Sequence, residues 1–167
     1  MSITSSPADQ TPVAAAMTRN VLAVRDDVTA ETVGRLMLEQ AISGIPVVDS
    51  SGHPIGIVSK TDLIRHLHEQ GVAVPSGRFE GDVYDGDWGV ISAGLGNALV
   101  GELMTPMTFK VTAGASLSQA AALMAFEGVH RVVVVAEDGT VAGILSALDV
   151  LRWLALHDGY VLQGSNR

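Results

Sequence analysis

The 167-residue chain contains no cysteine. Disulfide bonds, a thiolate nucleophile and a cysteine-ligated zinc site are therefore excluded, which is compatible with a reducing compartment. No window of the sequence reaches 18 consecutive apolar residues, so a membrane-spanning helix is not predicted. The first ten residues, MSITSSPADQ, lack the basic and apolar regions of a secretory signal, and we expect a cytoplasmic protein.

Basic residues are also scarce, with 10 Lys and Arg against 18 Asp and Glu and a net charge of −8. Broad electrostatic attraction to nucleic acid or to an anionic membrane is therefore not expected. Hydrophobic residues make up 47% of the chain, which is typical of a folded domain with a well-covered core. No P-loop, Ser/His/Asp arrangement or metal-ligand set is recognisable, so we expect neither an enzyme nor a metal site, and no required cofactor.

The sequence contains an internal repeat. Shifted by 87 positions, residues 13–67 align with residues 100–154 without a gap, and 15 of 55 positions are identical. Unrelated segments would share roughly three or four positions on residue usage alone. The clearest pair is GIVSKTDLIRHL at 56–67 and GILSALDVLRWL at 143–154. Because one copy is too small to cover its own sheet, the two copies are expected to pack as a pseudo-twofold pair.

Both copies show the same order of predicted elements, β-α-β-β-α, which indicates an α/β (α+β) fold. A short helical lead segment ending at Met-Thr precedes an extended residue, Val24 or Val111. An amphipathic helix follows, TAETVGRLMLEQ or SLSQAAALMAFEG, and then two apolar strands. The last helix is expected to begin around Asp62 or Asp149.

These elements divide the chain into five predicted segments. They are a flexible tail at 1–11, the first repeat at 12–68, a Gly-rich acidic connector at 69–98, the second repeat at 99–157 and a tail at 158–167. A connector of this length is unusual in a compact domain. We expect it to form a partly ordered lid, an arm or a dimer contact.

The repeated Ser-x-x-Asp phrase has two interpretations. It is a helix start, with Ser59 or Ser146 as N-cap and the aspartate at the third helical position. It also suits a nucleotide, because a carboxylate can bind two vicinal ribose hydroxyls while the hydroxyl and the helix N-terminus face a phosphate. The preceding glycine, which lacks Cβ, would permit close approach of a ligand. Both interpretations stay open at this point.

Three kinds of segment resemble the paired cystathionine-β-synthase (CBS) domains, also called Bateman modules. They are the Met-Thr segments in AAAMTRNV and GELMTPMT, the strand GIPVVDSSG with its counterpart HRVVVVAEDG, and the closing phrases GIVSKTD and GILSALD. The resemblance covers about 110 residues in two blocks. It implies tandem CBS repeats that sense an adenosine ligand, commonly AMP, ADP, ATP or S-adenosylmethionine, and that form homodimers through helices of both repeats.

The resemblance also implies ligand-binding residues, position by position. Asp62 and Asp149 would hold ribose hydroxyls, and Ser59 and Ser146 would lie near the phosphates. The residues expected to form an apolar wall for the adenine are Ile45 and Pro46 in one site and Val132 and Val133 in the other.

A basic pair distinguishes the second copy. His130 and Arg131 match the basic residues that precede the apolar strand in nucleotide-binding family members, so the resemblance implies that they bind phosphate. The first copy has Ser43 and Gly44 at these positions, so strong phosphate binding at the first site would need Lys60 or a residue from the second copy to compensate.

The function expected from these features is a stand-alone regulatory module that binds AMP, ADP or ATP and changes its conformation or the surface offered to a partner protein. One alternative is a ligand-free dimerisation or adaptor module in which the Ser-x-x-Asp phrases are only helix caps. Another is S-adenosylmethionine binding, in which the phosphate-free ligand would make little use of His130 and Arg131. Membrane and nucleic-acid partners are not expected.

Overall fold

The computed structural model describes residues 6–73, 91–106 and 109–160. Two four-stranded sheets with flanking helices lie within these residues, which confirms the mixed α/β fold. The elements in chain order are α1 (Pro7–Gln10), β1 (Thr18–Arg19), β2 (Val24–Arg25), α2 (Ala30–Glu39), β3 (Gly44–Val48), β4 (Pro54–Ser59), α3 (Lys60–Glu69), α4 (Val100–Leu103), β5 (Thr105–Pro106), β6 (Lys110–Thr112), α5 (Leu117–Glu127), β7 (Arg131–Val135), β8 (Val141–Ser146) and α6 (Ala147–His157).

The predicted β-α-β-β-α order is confirmed in both repeats, as β2-α2-β3-β4-α3 and β6-α5-β7-β8-α6. The last helices begin at Lys60 and Ala147, two residues before the predicted starts, because Ser59 and Ser146 are their N-caps. The chain forms two compact units, residues 22–108 and residues 1–21 with 109–167. We call them the first-repeat unit and the second-repeat unit.

The first-repeat unit contains a sheet in the order β2-β3-β4-β5, in which β2 and β3 are parallel and the other pairs are antiparallel. Its core lies where α2 and α3 bury apolar residues at helical spacing, such as Val33 with Met37 and Leu63 with Leu67. Residues 91–95, which are helical and come from the predicted connector, add Ile91 to this core. The rest of that connector, residues 74–90, lies outside the described residues.

The second-repeat unit contains a sheet in the order β1-β8-β7-β6, with β6 and β7 parallel. Its core is formed by α5 and the inward face of β7 and β8, and the buried residues are Val13, Leu117, Ala120, Met124, Val132, Val134 and Leu145. Alternate residues of β7 lie on this side because side chains of a strand point to opposite faces in turn. The antiparallel register of β7 and β8 places the start of β7 beside the end of β8.

Each repeat's lead segment belongs to the other repeat's sheet. β1, from the first repeat, pairs with β8 in the register Thr18 to Ile144, and β5, from the second, pairs with β4 in the register Thr105 to Ile57. Val13 is fully buried in the second-repeat unit, where its N–H donates to the Ala115 carbonyl at 2.8 Å. The compact units thus follow a different division from the sequence repeats.

The exchanged strands explain why Gly56 and Gly143 are glycines. A Cβ on Gly143 would lie 2.5 Å from the Thr18 carbonyl oxygen and 3.1 Å from Met17 Sδ. A Cβ on Gly56 would lie 2.9 Å from the Thr105 carbonyl oxygen and would also collide with the Met104 side chain. The close approach that each glycine permits is therefore made by the chain itself, and it does not indicate a ligand.

Candidate functional site

The second Ser-x-x-Asp phrase forms a hydrogen-bonded cluster at the N-terminus of α6. The Ser146 backbone N–H donates to Asp149 Oδ2 at 2.9 Å, and the Ser146 hydroxyl donates to the same oxygen at 2.6 Å. The Asp149 N–H in turn donates to Ser146 Oγ at 3.2 Å. This reciprocal arrangement is a capping box, which satisfies two backbone donors that the helix leaves without partners.

The first phrase has the same geometry at the N-terminus of α3. Ser59 donates to Asp62 Oδ2 through its N–H at 2.8 Å and through its hydroxyl at 2.6 Å. The Asp62 N–H donates back to Ser59 Oγ at 3.3 Å. The helix-cap interpretation is therefore confirmed as a structural role for both phrases. A capping role does not exclude a ligand, because an ionised carboxylate has about four acceptor sites.

An arginine one turn later contacts each carboxylate. Arg152 donates to Asp149 Oδ1 at 3.0 Å, and Arg65 donates to Asp62 Oδ1 at 3.2 Å. The carboxylates differ in exposure, since the Asp62 side chain is 5% exposed and that of Asp149 is 14% exposed. Asp149 is thus the more accessible of the two to a ligand.

The second cluster also contains the basic pair. Arg131 lies directly opposite Ser146 in the β7–β8 register. The carbonyl of His130 accepts the Ala147 N–H at 2.9 Å, which fixes His130 beside the first turn of α6. The His130 side chain is exposed and that of Arg131 is half-buried. The fold therefore brings His130, Arg131, Ser146 and Asp149 to one end of the paired strands β7 and β8.

The equivalent ends of β3 and β4 in the first-repeat unit carry a different set of residues. Gly44 lies opposite Ser59, and the Ser43 carbonyl accepts the Lys60 N–H at 3.2 Å. Lys60 is the first residue of α3 and is half-buried. The first cluster therefore has one cationic residue at the helix start, Lys60. The second cluster instead has the pair His130 and Arg131 beside its helix start.

The structure separates the residues expected to form the adenine wall. Ile45 and Val132 are fully buried members of the two hydrophobic cores, under the helices. Pro46 and Val133 follow them on β3 and β7 and are also buried, on the opposite face of each strand. Pro46 and Val133 are therefore the side chains of this set that lie outside the cores.

A groove that the sequence did not indicate lies between α5 and α6. Its volume is about 350 Å³, and its lining residues are apolar apart from His130. Small residues, Ala121, Ala125 and Gly128, line its α5 side together with Met124, and Gly128 is the C-cap of α5. Their spacing of four and three positions places them on one face of α5. The sequence signal was therefore present, but small residues at this spacing are also typical of ordinary helix packing.

Two further features of the described residues bear on function. They contain no group of three or more histidine or carboxylate side chains that could hold a metal ion. Within residues 6–73, 91–106 and 109–160, every helix is too short or too polar to cross a membrane.

The chain is similar to several known proteins. It is 30% identical over 138 residues to the chloroplastic CBS domain-containing protein CBSX1 of Arabidopsis thaliana, and the match covers 77% of this chain and 57% of the relative. The related CBSX2 of Arabidopsis thaliana matches with 30% identity over 80% of this chain and 58% of the relative. The chain thus spans less than two thirds of the length of these relatives.

The chain is also similar to solved structures of CBS domains. The CBS domain of a membrane protein from Sphaerobacter thermophilus matches with a TM-score of 0.68 and 28% identity, covering 86% of this chain and 88% of that one. A crystal structure of CBSX2 in complex with AMP matches with a TM-score of 0.66 and 26% identity, covering 88% and 98%. The CBS domain family model matches residues 13–69 and 100–156. The chain therefore belongs to the CBS domain family and contains two CBS domains.

Proposed function

We propose that this chain is a regulatory module that binds an adenosine nucleotide, AMP, ADP or ATP, at the cluster formed by His130, Arg131, Ser146 and Asp149. The observation that carries the proposal is the convergence of a carboxylate, a hydroxyl and two basic side chains at the N-terminus of α6. The AMP complex of CBSX2, which is 26% identical to this chain, supports the same class of ligand.

The carboxylate of Asp149 defines how a ribose would bind. Oδ2 already accepts two hydrogen bonds from Ser146, whereas Oδ1 accepts one from Arg152. Oδ1 therefore has one acceptor site left for a ribose hydroxyl. A second hydroxyl requires the Ser146 hydroxyl to turn away from Oδ2. That rotation would free the Ser146 hydroxyl to donate to a phosphate oxygen, so ribose and phosphate binding would be coupled through one side chain.

Phosphate recognition is assigned to the basic pair and the helix N-terminus. The N-terminus of an α-helix carries a partial positive charge, and a phosphate beside it is stabilised. Arg131 adds a guanidinium that can bind two phosphate oxygens together, and His130 adds an exposed imidazole. In this proposal Val133, buried on the face of β7 away from the core, contributes to the apolar wall for the adenine, and the backbone at Val132 continues it.

The first cluster is proposed as a weaker site. Asp62 and Ser59 would hold the ribose, Pro46 and the backbone at Ile45 would contact the adenine, and Lys60 would supply the positive charge. Asp62 is almost fully buried, so a ligand reaches it less readily than Asp149. A single lysine also lacks the bidentate geometry of an arginine.

A ligand-free adaptor is the second candidate, and the capping boxes favour it. Both aspartates already have partners for both oxygens, through the serine and the arginine. The sequence pattern is thus explained without a ligand. S-adenosylmethionine is a third candidate, but it has no phosphate to occupy the basic pair.

Regulation requires that the nucleotide bind one conformation more tightly than another. We propose that the bound state offers a different surface to a partner protein and that the module acts as a homodimer. The cytoplasmic location expected from the sequence stays a prediction, since CBSX1 and CBSX2 are named as chloroplastic.

Isothermal titration of the ligand-free protein with AMP, ADP, ATP and S-adenosylmethionine tests the proposal. Asp149→Ala removes a charged acceptor worth about 1.5–3 kcal/mol, so we expect the affinity for nucleotide to fall about 10- to 150-fold. Asp62→Ala should reduce only a weaker second binding event.

A capping box without a proposed ligand provides the matched control. The Ser116 N–H donates to Gln119 Oε1, and the Gln119 N–H donates to Ser116 Oγ, both at 3.2 Å, at the start of α5 in the same unit. Gln119→Ala should leave affinity within about twofold of wild type. Equal losses of affinity in Asp149→Ala and Gln119→Ala, or no binding by the folded wild type, would favour the adaptor.

A further inference from the structure

Arg152 contacts the carboxylate that the proposed function assigns to the ribose. Its Nη1 donates to Asp149 Oδ1 at 3.0 Å, and the arginine follows the aspartate by three positions on α6. Residues three positions apart on a helix lie on the same side of it. Both side chains therefore belong to the helix that carries the capping box, and the contact is set by the helix itself.

The hydrogen bonds of Asp149 are divided unequally between its two oxygens. Oδ2 accepts the backbone N–H of Ser146 at 2.9 Å and its hydroxyl at 2.6 Å, and Oδ1 accepts the Nη1 of Arg152. An ionised carboxylate has about four acceptor sites, two on each oxygen. In the ligand-free protein Oδ2 is therefore filled by Ser146, and Oδ1 has one site open.

A ribose would change this division. Its two vicinal hydroxyls stand side by side, as the two oxygens of a carboxylate do, so the matched bidentate geometry places one hydroxyl on each oxygen. Oδ1 can accept its hydroxyl while Arg152 stays bound. Oδ2 can accept the other hydroxyl once the Ser146 hydroxyl has turned away. The ribose thus displaces a donor of the serine and leaves the arginine in place.

The carboxylate with a bound ribose would be held by one protein donor on each oxygen. The Ser146 N–H stays on Oδ2, and Arg152 stays on Oδ1. The carboxylate has then lost its shortest hydrogen bond, the one from the Ser146 hydroxyl. Arg152 consequently contributes more to the bound state than to the free state, and a difference of this kind is what contributes to affinity.

The capping box holds Asp149 in the free protein without help from the arginine. Two donors of Ser146 fix Oδ2, and the Asp149 N–H donates back to Ser146 Oγ at 3.2 Å. These bonds set the position of the side chain from both ends. The contact with Arg152 is therefore an addition to the cap, and its role is sought in the bound state.

We propose that Arg152 is a positioning residue for the ribose: it holds the Asp149 carboxylate so that each oxygen offers one acceptor site to one of the two vicinal hydroxyls. The inference rests on the proposed function and deepens it, because it makes the second cluster sensitive to the sugar of the nucleotide. A 2′-deoxyribose offers one hydroxyl, which fits the open site of Oδ1 while both donors of Ser146 stay on Oδ2. The arginine then gains no added role on binding.

Isothermal titration of AMP and of 2′-deoxy-AMP into the wild type and into Arg152→Ala tests the inference. The two ligands carry the same base and the same phosphate, so a general attraction between the arginine and the phosphate affects both equally. We expect Arg152→Ala to lower the affinity for AMP about fivefold, which is the upper range for a surface ion pair, and to leave the affinity for 2′-deoxy-AMP within about twofold. Arg152→Lys should restore most of the loss, because the observed contact uses one nitrogen and a lysine can replace it.

The first repeat provides the matched control. Arg65 makes the same contact with Asp62 Oδ1, at 3.2 Å, so Arg65→Ala removes the equivalent arginine from the weaker cluster. It should leave the tighter binding event within about twofold of wild type. Circular dichroism of each variant checks that the fold is retained.

Three results for Arg152→Ala would overturn the inference. They are an unchanged affinity for AMP, an increased affinity for AMP, which would mark the arginine as a competitor of the ribose, and equal losses for AMP and 2′-deoxy-AMP. Asp149→Ala separates these results from failure of the proposed function. If Asp149→Ala weakens AMP binding and Arg152→Ala does not, the ribose site stands and the role given to Arg152 is wrong. If the folded wild type binds neither ligand, both are wrong.

Discussion

The two Ser-x-x-Asp clusters have nearly the same internal geometry and different surroundings. Their serine-to-carboxylate distances agree within 0.1 Å. One is bordered by Ser43 and Gly44, and the other by His130 and Arg131. The shared part is explained by helix capping, so it does not distinguish a ligand site from a structural one. The difference in surroundings is therefore what carries the functional assignment, and it points to the second cluster.

The helix pairs of the two repeats differ in the same way. The common core positions are set by packing. Three exposed positions of the helices are polar in the first repeat, Arg35, Glu39 and Thr61, and are Ala122, Phe126 and Leu148 in the second. The two repeats therefore share apolar residues at their core positions and differ at several exposed positions. The proposed stronger nucleotide site consequently falls on the second repeat.

The glycines under the exchanged strands give the largest expected effect. Gly143→Ala should destabilise the protein by about 1–3 kcal/mol, because the new methyl group meets the Thr18 backbone carbonyl. Gly56→Ala should cost less, since part of its clash is with the flexible Met104 side chain. Urea unfolding followed by circular dichroism measures both. Gly114→Ala is the control, because a Cβ at Gly114 would have no neighbour within 4 Å. It should change the free energy of unfolding by less than about 0.5 kcal/mol. Equal effects at all three positions would contradict the pairing of β1 with β8 and of β5 with β4.

Removal of the caps tests whether the two clusters are structurally equivalent. Ser59→Ala and Ser146→Ala should each lower the free energy of unfolding by about 1 kcal/mol, because each leaves the same helical N–H without its side-chain acceptor. The two losses should agree within about 0.5 kcal/mol. Thermal or urea unfolding measures both losses. A much larger loss for one serine would show that the two caps contribute unequally to stability despite their common geometry.

The arginines that contact the aspartates give the smallest expected effect. Arg65 and Arg152 are 60% and 62% exposed, and an exposed ion pair contributes less than about 1 kcal/mol. Arg65→Ala and Arg152→Ala should therefore lower stability slightly, and the loss should shrink further in high salt. A loss above about 2 kcal/mol in either variant would mean that its arginine has a structural role beyond the ion pair.

The sequence predicted the parts of the fold that depend on local pattern. The repeated order of elements and the caps at Ser59 and Ser146 follow from hydrophobic spacing and from the chemistry of helix starts, and the structure has both. The exchange of the lead segments was not predictable in this way. β1 and β5 are two residues long, and no local signal states which sheet such a short strand will join.

The exposure of the leucines of α6 was missed for a related reason. Leu148, Leu151 and Leu154 have the spacing of a buried helix face, so periodicity alone assigns them to the core. Their exposure appears only in the three-dimensional structure. The adenine wall was predicted as adjacent pairs, and strand alternation separates each pair into a core residue and a residue on the other face.

A double comparison of two proteins and two ligands tests whether His130 and Arg131 bind the phosphate. AMP and adenosine would each be titrated into the wild type and into the double variant His130→Ala with Arg131→Ala. We expect the double variant to lose about 10- to 100-fold in affinity for AMP and almost none for adenosine, which has no phosphate to bind. Equal losses for both ligands, or an unchanged affinity for AMP, would contradict a phosphate site at the second cluster.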